Sequence, residues 1–417
     1  MSTITLSPSQ LNGKVAAPPS KSDVHRAIIC AALSGGVCRV APVSLSNDIK
    51  ATISCIRALG AEVSVSGDTV TVDGTNLFNS KTAVLDCSES GSTLRFFIPI
   101  AAAGGADATF IGSGRLPERP IGIYLDILPQ AGVSCKSDKG LPLEISGQLR
   151  SGTFSLPGDI SSQFITGLLL ALPLLDGDSE IVLTTPLSSV GYIDMTLDCM
   201  RRFGVVAVRT AKGWFIKGNQ RYVSTDYRTD GDWSQAAFFM AAGAVSGDVT
   251  VEGLRLNSTQ GDKEVAEILR RFGADIELSE NSVRVRRSKL TATEINAGDI
   301  PDLVPILAVV ASFAEGKTRI YNAERLRIKE SDRLRTTADM LNALGGKVTE
   351  KRDELIIEGT GKLRGGEVDG ANDHRIVMSA SVAALGCESK VTITDRESIN
   401  KSYPDYFEEY FRLGGRG

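Results

Sequence analysis

The chain has 417 residues, with 46 Lys and Arg against 50 Asp and Glu, for a formal charge of −4. That balance gives no support for a nucleic-acid surface, and no apolar run reaches membrane-spanning length; the best, around Phe164–Leu175, reads as a buried helix. Hydrophobic residues at 42% and charged residues at 23% are ordinary for a soluble enzyme, and the length suffices for two lobes with sizeable cores. The start MSTITLSPSQ lacks the basic stretch and apolar core of an export signal, so a cytoplasmic location is expected. Seven cysteines without C-x-x-C spacing and only two histidines read as reduced structural thiols, with no metal or cofactor expected.

In chain order the first strand-like stretch is TITLSPSQLNGKVAAP (3–18), which reads as a hairpin. An apolar helix opens at PPSKSDVHRAII (18–29) and ends near Gly36, a strand follows, and a second helix, KATISCIRALG, closes at Gly60. Then comes AEVSVSGDTVTVDG (61–74), whose period-two alternation around a Gly-Asp turn predicts two paired strands. This succession recurs. Helix-closing glycines stand at 60, 132, 204, 273, 345 and 414, spaced 72, 72, 69, 72 and 69 residues apart, and a second register runs through 36, 105, 177, 247, 316 and 386. Glycine just past a helix takes the left-handed conformation without Cβ strain. The chain therefore reads as an α/β protein of six ββαβαβ units.

The sixth unit lacks its hairpin, since only Arg416 and Gly417 follow Gly414. The predicted hairpin at the N-terminus supplies it, which divides the chain into two lobes of three units, 19–229 and 1–18 plus 230–417. The chain then crosses twice, near Pro18–Ser20 and near Tyr227–Gly231, and a two-strand hinge predicts closure over a ligand.

The unusual polar residues gather where helices start. The apolar helices open at SKSDVHR, SESGSTLR, ISSQF, GDWSQ, IPDLV and NDHRIV, and the glycine-closed helices open near Asp48, Arg119, Tyr192, Asp262, Arg333 and Lys401. Helix starts expose unpaired N–H groups and the positive end of the dipole. With Lys21, Arg26, Arg95, Arg119, Arg327, Lys329, Arg333, Arg375 and Lys401 in the same register, a small polyanionic substrate is expected. Taken singly, Ser92, Ser234 and Asp262 read as caps and His25 as a cap or packing residue, while His374 is evenly balanced between structure and site. Recurrence at equivalent positions is what favours a site. No G-x-x-x-x-G-K-[ST] loop is present, and the glycine pairs lack the strand context of a dinucleotide fingerprint, so phosphate falls to side chains and helix starts.

The motifs SKSDVHR (20–26), SGSTLR (90–95), ERPIG (118–122), SSQF (161–164), SSVGY (188–192), IPD (300–302), RIKESDRL (327–334), NDHR (372–375) and KSYPDYF (401–407) occur in an order that resembles the 5-enolpyruvylshikimate-3-phosphate (EPSP) synthase family of enolpyruvyl transferases, along essentially the whole chain. The resemblance implies a two-lobed enolpyruvyl-transferase-like fold and transfer of the enolpyruvyl group of phosphoenolpyruvate to the 5-hydroxyl of shikimate 3-phosphate, in aromatic amino acid biosynthesis. It assigns shikimate 3-phosphate to Lys21, Ser22, Arg26, Ser161, Ser162, Gln163, Ser189, Tyr192, Asp302 and Lys329. It assigns phosphoenolpyruvate to Lys21, Gly91, Arg119, Gln163, Arg333, Arg375 and Lys401. Asp302 resembles the family's base and Glu330 its acid, with Lys21 a further participant in proton transfer; no cofactor is implied, and a monomer acting on two small anions is expected.

The chain departs from common family forms at Pro19, Glu89, Phe96 and Arg325, the last standing where some members carry an Asn that touches substrate. The nearest rival is the sister transferase acting on UDP-N-acetylglucosamine, which typically has Asn after the first Lys and a loop Cys as acid; here Ser22 follows Lys21 and GRLPERPIG has no Cys. A non-catalytic anion-binding repeat protein is disfavoured because Asp302 and Glu330 would be costly additions to a site that only binds anions.

Overall fold

The computed structural model describes residues 2–138 and 140–417, and the chain separates into two compact units, Lys21–Thr229 and Met1–Ser20 with Asp230–Gly417. Two strands come first, β1 (Ile4–Leu6) and β2 (Leu11–Ala16). The first repeat holds α1 (Lys21–Leu33), β3 (Val37–Ala41), α2 (Asn47–Ala58), β4 (Glu62–Ser66) and β5 (Thr69–Asp73). The second holds β6 (Thr82–Asp86), α3 (Gly91–Ala103), β7 (Asp107–Ile111), α4 (Gly122–Ile127), β8 (Val133–Lys136) and β9 (Leu143–Gly147). The third holds β10 (Thr153–Leu156), α5 (Ser162–Ala171), β11 (Ser179–Leu183), α6 (Val190–Arg202), β12 (Ala207–Arg209) and β13 (Gly213–Ile216), and is followed by the short β14 (Tyr227–Arg228).

The fourth repeat runs through α7 (Trp233–Ser246), β15 (Gly247–Glu252), α8 (Val265–Arg271), β16 (Asp275–Ser279) and β17 (Ser282–Arg286). The fifth has β18 (Glu294–Asn296), α9 (Val304–Phe313), β19 (Gly316–Tyr321), α10 (Arg333–Ala343), β20 (Lys347–Glu350) and β21 (Leu355–Gly359). The sixth has β22 (Gly366–Val368), α11 (His374–Leu385), β23 (Val391–Ile393) and α12 (Tyr406–Arg412).

One sheet pattern is used throughout. Strand orders are β6-β7-β9-β8, β10-β11-β13-β12 and β18-β19-β21-β20, with the first pair parallel and the others antiparallel. The parallel pair needs a crossover, which each apolar helix supplies; the tight hairpin closes the other side. These crossover helices are apolar on every face and accordingly buried, α7 along its whole length.

All six helix-closing glycines have positive φ, between 80° and 114°. The second register is different: Gly105 and Gly316 have positive φ, but Gly247 is extended at 179° and Gly386 sits at −104°. Here space is the requirement instead. A Cβ on Gly247 would lie 1.9 Å from the Leu11 carbonyl oxygen of the neighbouring strand.

The N-terminal stretch corrects the sequence expectation. It is no hairpin: β1 pairs antiparallel with β23 and completes the sheet β22-β23-β1, whereas β2 pairs parallel with β15 in the sheet β2-β15-β17-β16. Likewise β14, reached only after the third repeat, pairs parallel with β3 and leads the first sheet, β14-β3-β5-β4. Alternation marks both stretches as strands, but pairing partners hundreds of residues away leave no local trace.

Candidate active site

Within residues 21–229, the starts of α1, α3, α5 and α6 carry most of the assigned groups. Lys21 opens α1, and its Nζ lies 2.7 Å from Asp48 Oδ2 at the start of α2, both largely buried. At α3, Ser90 is the N-cap and accepts from the Thr93 N–H. This corrects the reading of Ser92 as a cap; its Oγ accepts from Gln163 Nε2 at 2.9 Å. Gly91 is the first residue of α3, and a Cβ there would fall 2.5 Å from Nη1 of Arg119. The Arg119 guanidinium thus lies against bare backbone, a close approach that any side chain at 91 would block.

Ser161 caps α5, and Gln163 is held at both ends of its amide, by Ser92 and by Arg95, whose Nη1 donates to Oε1 at 2.5 Å. Arg95 in turn donates to the Pro120 carbonyl and covers the Phe164 ring. Arg26 is buried and donates to the carbonyls of Ser22 and Tyr192 and to the hydroxyls of Thr196 and Thr166. It ties α1 to α5 and α6, next to Ser22 and Tyr192. Burial lowers its pKa from the ordinary arginine value. Ser162 is buried at the first position of α5, and Ser189, with φ 58°, stands before α6.

Residues 1–20 and 230–417 hold an ion cluster. Asp302 lies in a 3-10 turn, Pro301–Leu303, ahead of α9. Its Oδ1 is 2.7 Å from Arg333 Nη1 and 3.6 Å from Lys329 Nζ, and its Oδ2 is 3.4 Å from Arg375 Nη2. Arg375 also donates to the Asp302 carbonyl at 2.9 Å. Burial alone would raise the Asp302 carboxyl, but Arg375, Lys329 and Arg333 hold it well below the usual carboxylate range.

Arg333 opens α10 and is also 2.6 Å from Glu330 Oε2 and 2.8 Å from Asp373 Oδ2. Burial opposes its charge, but Asp373, Glu330 and Asp302 together raise its pKa. Asp373 is wholly buried, caps α11 by accepting from the Arg375 N–H, and accepts from Ser331 as well as Arg333. Lys329 is pushed down to about 8, chiefly by burial, with Arg333 and Arg325 adding to it against Asp302 and Glu330. Lys401 ends a 3-10 turn and donates to the Asn372 carbonyl at 2.6 Å.

The cluster brings together Asp302, Lys329, Glu330, Arg333 and Arg375 from the assigned set. Sequence reasoning gave no role to Asp373, though NDHR carries it, and placed Asp48 at a helix start without pairing it with Lys21. Ser234 and Asp262 are not caps: α7 is capped by Asp232, and Asp262 lies buried inside the 3-10 turn Gly261–Glu264. Burial first, then Asp302, raise the Asp262 carboxyl to about 7. His374 is the first residue of α11, behind its cap, and is buried. Each unit thus holds its own group of anion-seeking side chains, suited to phosphate and carboxylate groups.

No helix among the described residues is long and apolar enough to cross a membrane. The family described as EPSP synthase (3-phosphoshikimate 1-carboxyvinyltransferase) matches residues 6–410. A Clostridium acetobutylicum protein named 3-phosphoshikimate 1-carboxyvinyltransferase is 46% identical over 421 residues, spanning 100% of this chain and 98% of that protein. The solved EPSP synthase of Acinetobacter baumannii superposes with a TM-score of 0.83 at 28% identity, covering 99% of this chain and 98% of that one. The enolpyruvyl transferase NikO of Streptomyces tendae has a TM-score of 0.81 at 18% identity and shares the fold, over 99% of this chain and 98% of its own.

Proposed function

The chain belongs to the EPSP synthase family, and from that membership we propose that it transfers the enolpyruvyl group of phosphoenolpyruvate to the 5-hydroxyl of shikimate 3-phosphate, releasing phosphate, as a step of aromatic amino acid biosynthesis. The observation that carries the chemistry is the Asp302–Arg333–Glu330 arrangement, one guanidinium between two carboxylates, with Lys329 and Arg375 on the first of them.

The 5-hydroxyl gives its proton to Asp302 as its oxygen attacks C2 of the enol, and C3 gains a single proton, supplied by Glu330 or, in its place, by Lys21. A tetrahedral intermediate results; C3 then returns its proton, the C2–O bond to phosphate breaks, and the leaving charge is taken up by the fixed cations. With its cations in place Asp302 is a weak base. Bound anions draw Arg333, Arg375 and Lys329 toward themselves and so raise the basicity of Asp302 when substrate is present. The same competition frees Glu330 from Arg333. Of the assigned residues, Ser22, Arg26, Gly91, Arg119, Ser161, Ser162, Gln163, Ser189 and Tyr192 belong to the unit 21–229, and Lys329, Arg375 and Lys401 to the other. A monomer working in the cytoplasm completes the proposal.

Phosphate release tests it. Release is expected only when both shikimate 3-phosphate and phosphoenolpyruvate are present. Release with UDP-N-acetylglucosamine in place of shikimate 3-phosphate would overturn the assignment in favour of the sister activity.

A further inference from the structure

His25 is buried on the first turns of α1 and takes no part in the chemistry above. Its Nδ1 lies 2.7 Å from Thr52 Oγ1 on α2. Thr52 Oγ1 lies 2.8 Å from Thr93 Oγ1 on α3, and Thr93 donates to Ser90 Oγ, the α3 cap, at 2.8 Å. Both threonines are fully buried. This line of hydrogen bonds crosses three helices whose first residues are Lys21, Asn47 and Gly91, with Asp48 in the first turn of the second.

Counting protons gives the line a direction. Each threonine hydroxyl has one proton. That of Thr93 is spent on Ser90 Oγ or on the Asp48 carbonyl at 3.5 Å, so the Thr52–Thr93 contact needs the proton of Thr52. Thr52 then has only lone pairs for His25, and Nδ1 must carry a hydrogen. The other ring nitrogen, Nε2, is buried with no hydrogen-bond partner among the described residues, and the Phe96 ring meets the imidazole edge-on at 6.4 Å. A bare Nε2 lone pair suits that setting better than an unpaired N–H. Burial, followed by the charges of Lys21 and Arg26, lowers the His25 pKa well below its ordinary value and keeps the ring neutral.

We infer that His25, as the neutral Nδ1–H tautomer, is a positioning residue: through Thr52 and Thr93 it locks the starts of α1, α2 and α3 in one register, and so holds the Lys21–Asp48 pair and the Ser90–Gly91 turn in place for substrate. The consequence for turnover rests on the proposed activity; the tautomer does not. Loss of the line lets three helix starts shift independently, and displacement of binding groups by a fraction of an ångström is felt in catalysis.

Two measurements decide it. The chain has two histidines, so long-range proton–nitrogen spectra of histidine-labelled protein resolve both rings, and His25→Asn assigns them. A neutral Nδ1–H ring for His25 at pH 7 is expected; an Nε2–H tautomer or an imidazolium overturns the inference, whatever the enzyme does. Kinetically, Thr52→Val and His25→Leu should lower kcat/KM for phosphoenolpyruvate by roughly tenfold, mostly through KM, whereas His25→Asn, which keeps an N–H near the Nδ1 position, should stay within about threefold of wild type. Variants that lose thermal stability but keep wild-type kcat/KM would show a purely structural role and overturn the positioning claim. A wild type without phosphate release would fail the proposed activity instead, and the spectra would still judge the hydrogen-bonded line.

Discussion

Three cations act on the Asp302 carboxylate, and one of them, Lys329, has its own titration moved to about 8. The sign of the stability effect follows. Between pH 8 and the ordinary lysine value of 10.5 the unfolded chain binds more protons at this residue than the folded one, so Lys329 alone makes stability rise with pH across that window. Binding runs the other way. Above pH 8 the free enzyme loses a cation assigned to shikimate 3-phosphate, so kcat/KM for that substrate should fall from about pH 8 upward. Lys329→Arg, which stays charged, should move that fall to higher pH. A pH–rate profile of the two proteins checks it; coincident alkaline limbs would remove Lys329 from the binding role. Asp302→Asn and Glu330→Gln keep shape and remove the ionisable group, and each should lower turnover by roughly two to four orders of magnitude while the substrates still bind. Stopped assays paired with titration calorimetry separate the two effects, and near-wild-type turnover in either variant would strip that residue of its role.

At the scale of elements, the site is made of helix starts, and the start of α3 shows how tightly. A methyl group on Gly91 would come within 2.5–2.8 Å of three atoms of the Arg119 guanidinium. The neighbour is the far end of a flexible side chain, so Arg119 swings away and the fold survives. Gly91→Ala should therefore leave the melting temperature within a few degrees, since only the end of one flexible side chain has to move, and raise KM for phosphoenolpyruvate roughly tenfold as one cation is misplaced. An unchanged KM would mean that Arg119 does not touch that substrate. Much of this level is legible in the sequence. The helix-closing glycines recur every 69 or 72 residues because one unit is repeated, each is glycine because a left-handed residue ends its helix, and the motifs place Asp302, Glu330, Arg333 and Arg375 near helix starts. Individual caps are not legible at that resolution: Ser90 caps α3 where Ser92 was expected, and Asp232 caps α7, because several Ser and Asp residues crowd each start and only backbone geometry chooses among them. Asp373 went unassigned for a related reason. Capping α11 is a local task, but gripping Arg333 needs a contact between two repeats that no local pattern records.

At the scale of the whole chain, the repeat predicts that the N-terminus completes something the C-terminus lacks, and β1 beside β23 does so. What periodicity cannot reveal is that β2 serves another sheet. The separation yields a prediction that a hairpin would not. Removing residues 2–8 takes away Ile4 and Leu6, both buried against β23, and exposes an unpaired strand edge. At about 1.5–3 kcal/mol for each buried aliphatic side chain, the loss is several kcal/mol, within reach of what a unit of this size tolerates. The sheet of β2, β15, β17 and β16 keeps all its strands. Hydrogen exchange should therefore accelerate at residues 391–393 and stay slow at 247–252. Removing residues 2–17 also takes Leu11 and Val15 from beside β15, and with them the only parallel partner of that strand among the described residues. Exchange should then rise in both sheets, while the unit 21–229, which contains neither strand, stays protected. Equal acceleration at 391–393 and 247–252 after the shorter deletion would mean that the two N-terminal strands act as one structural element after all.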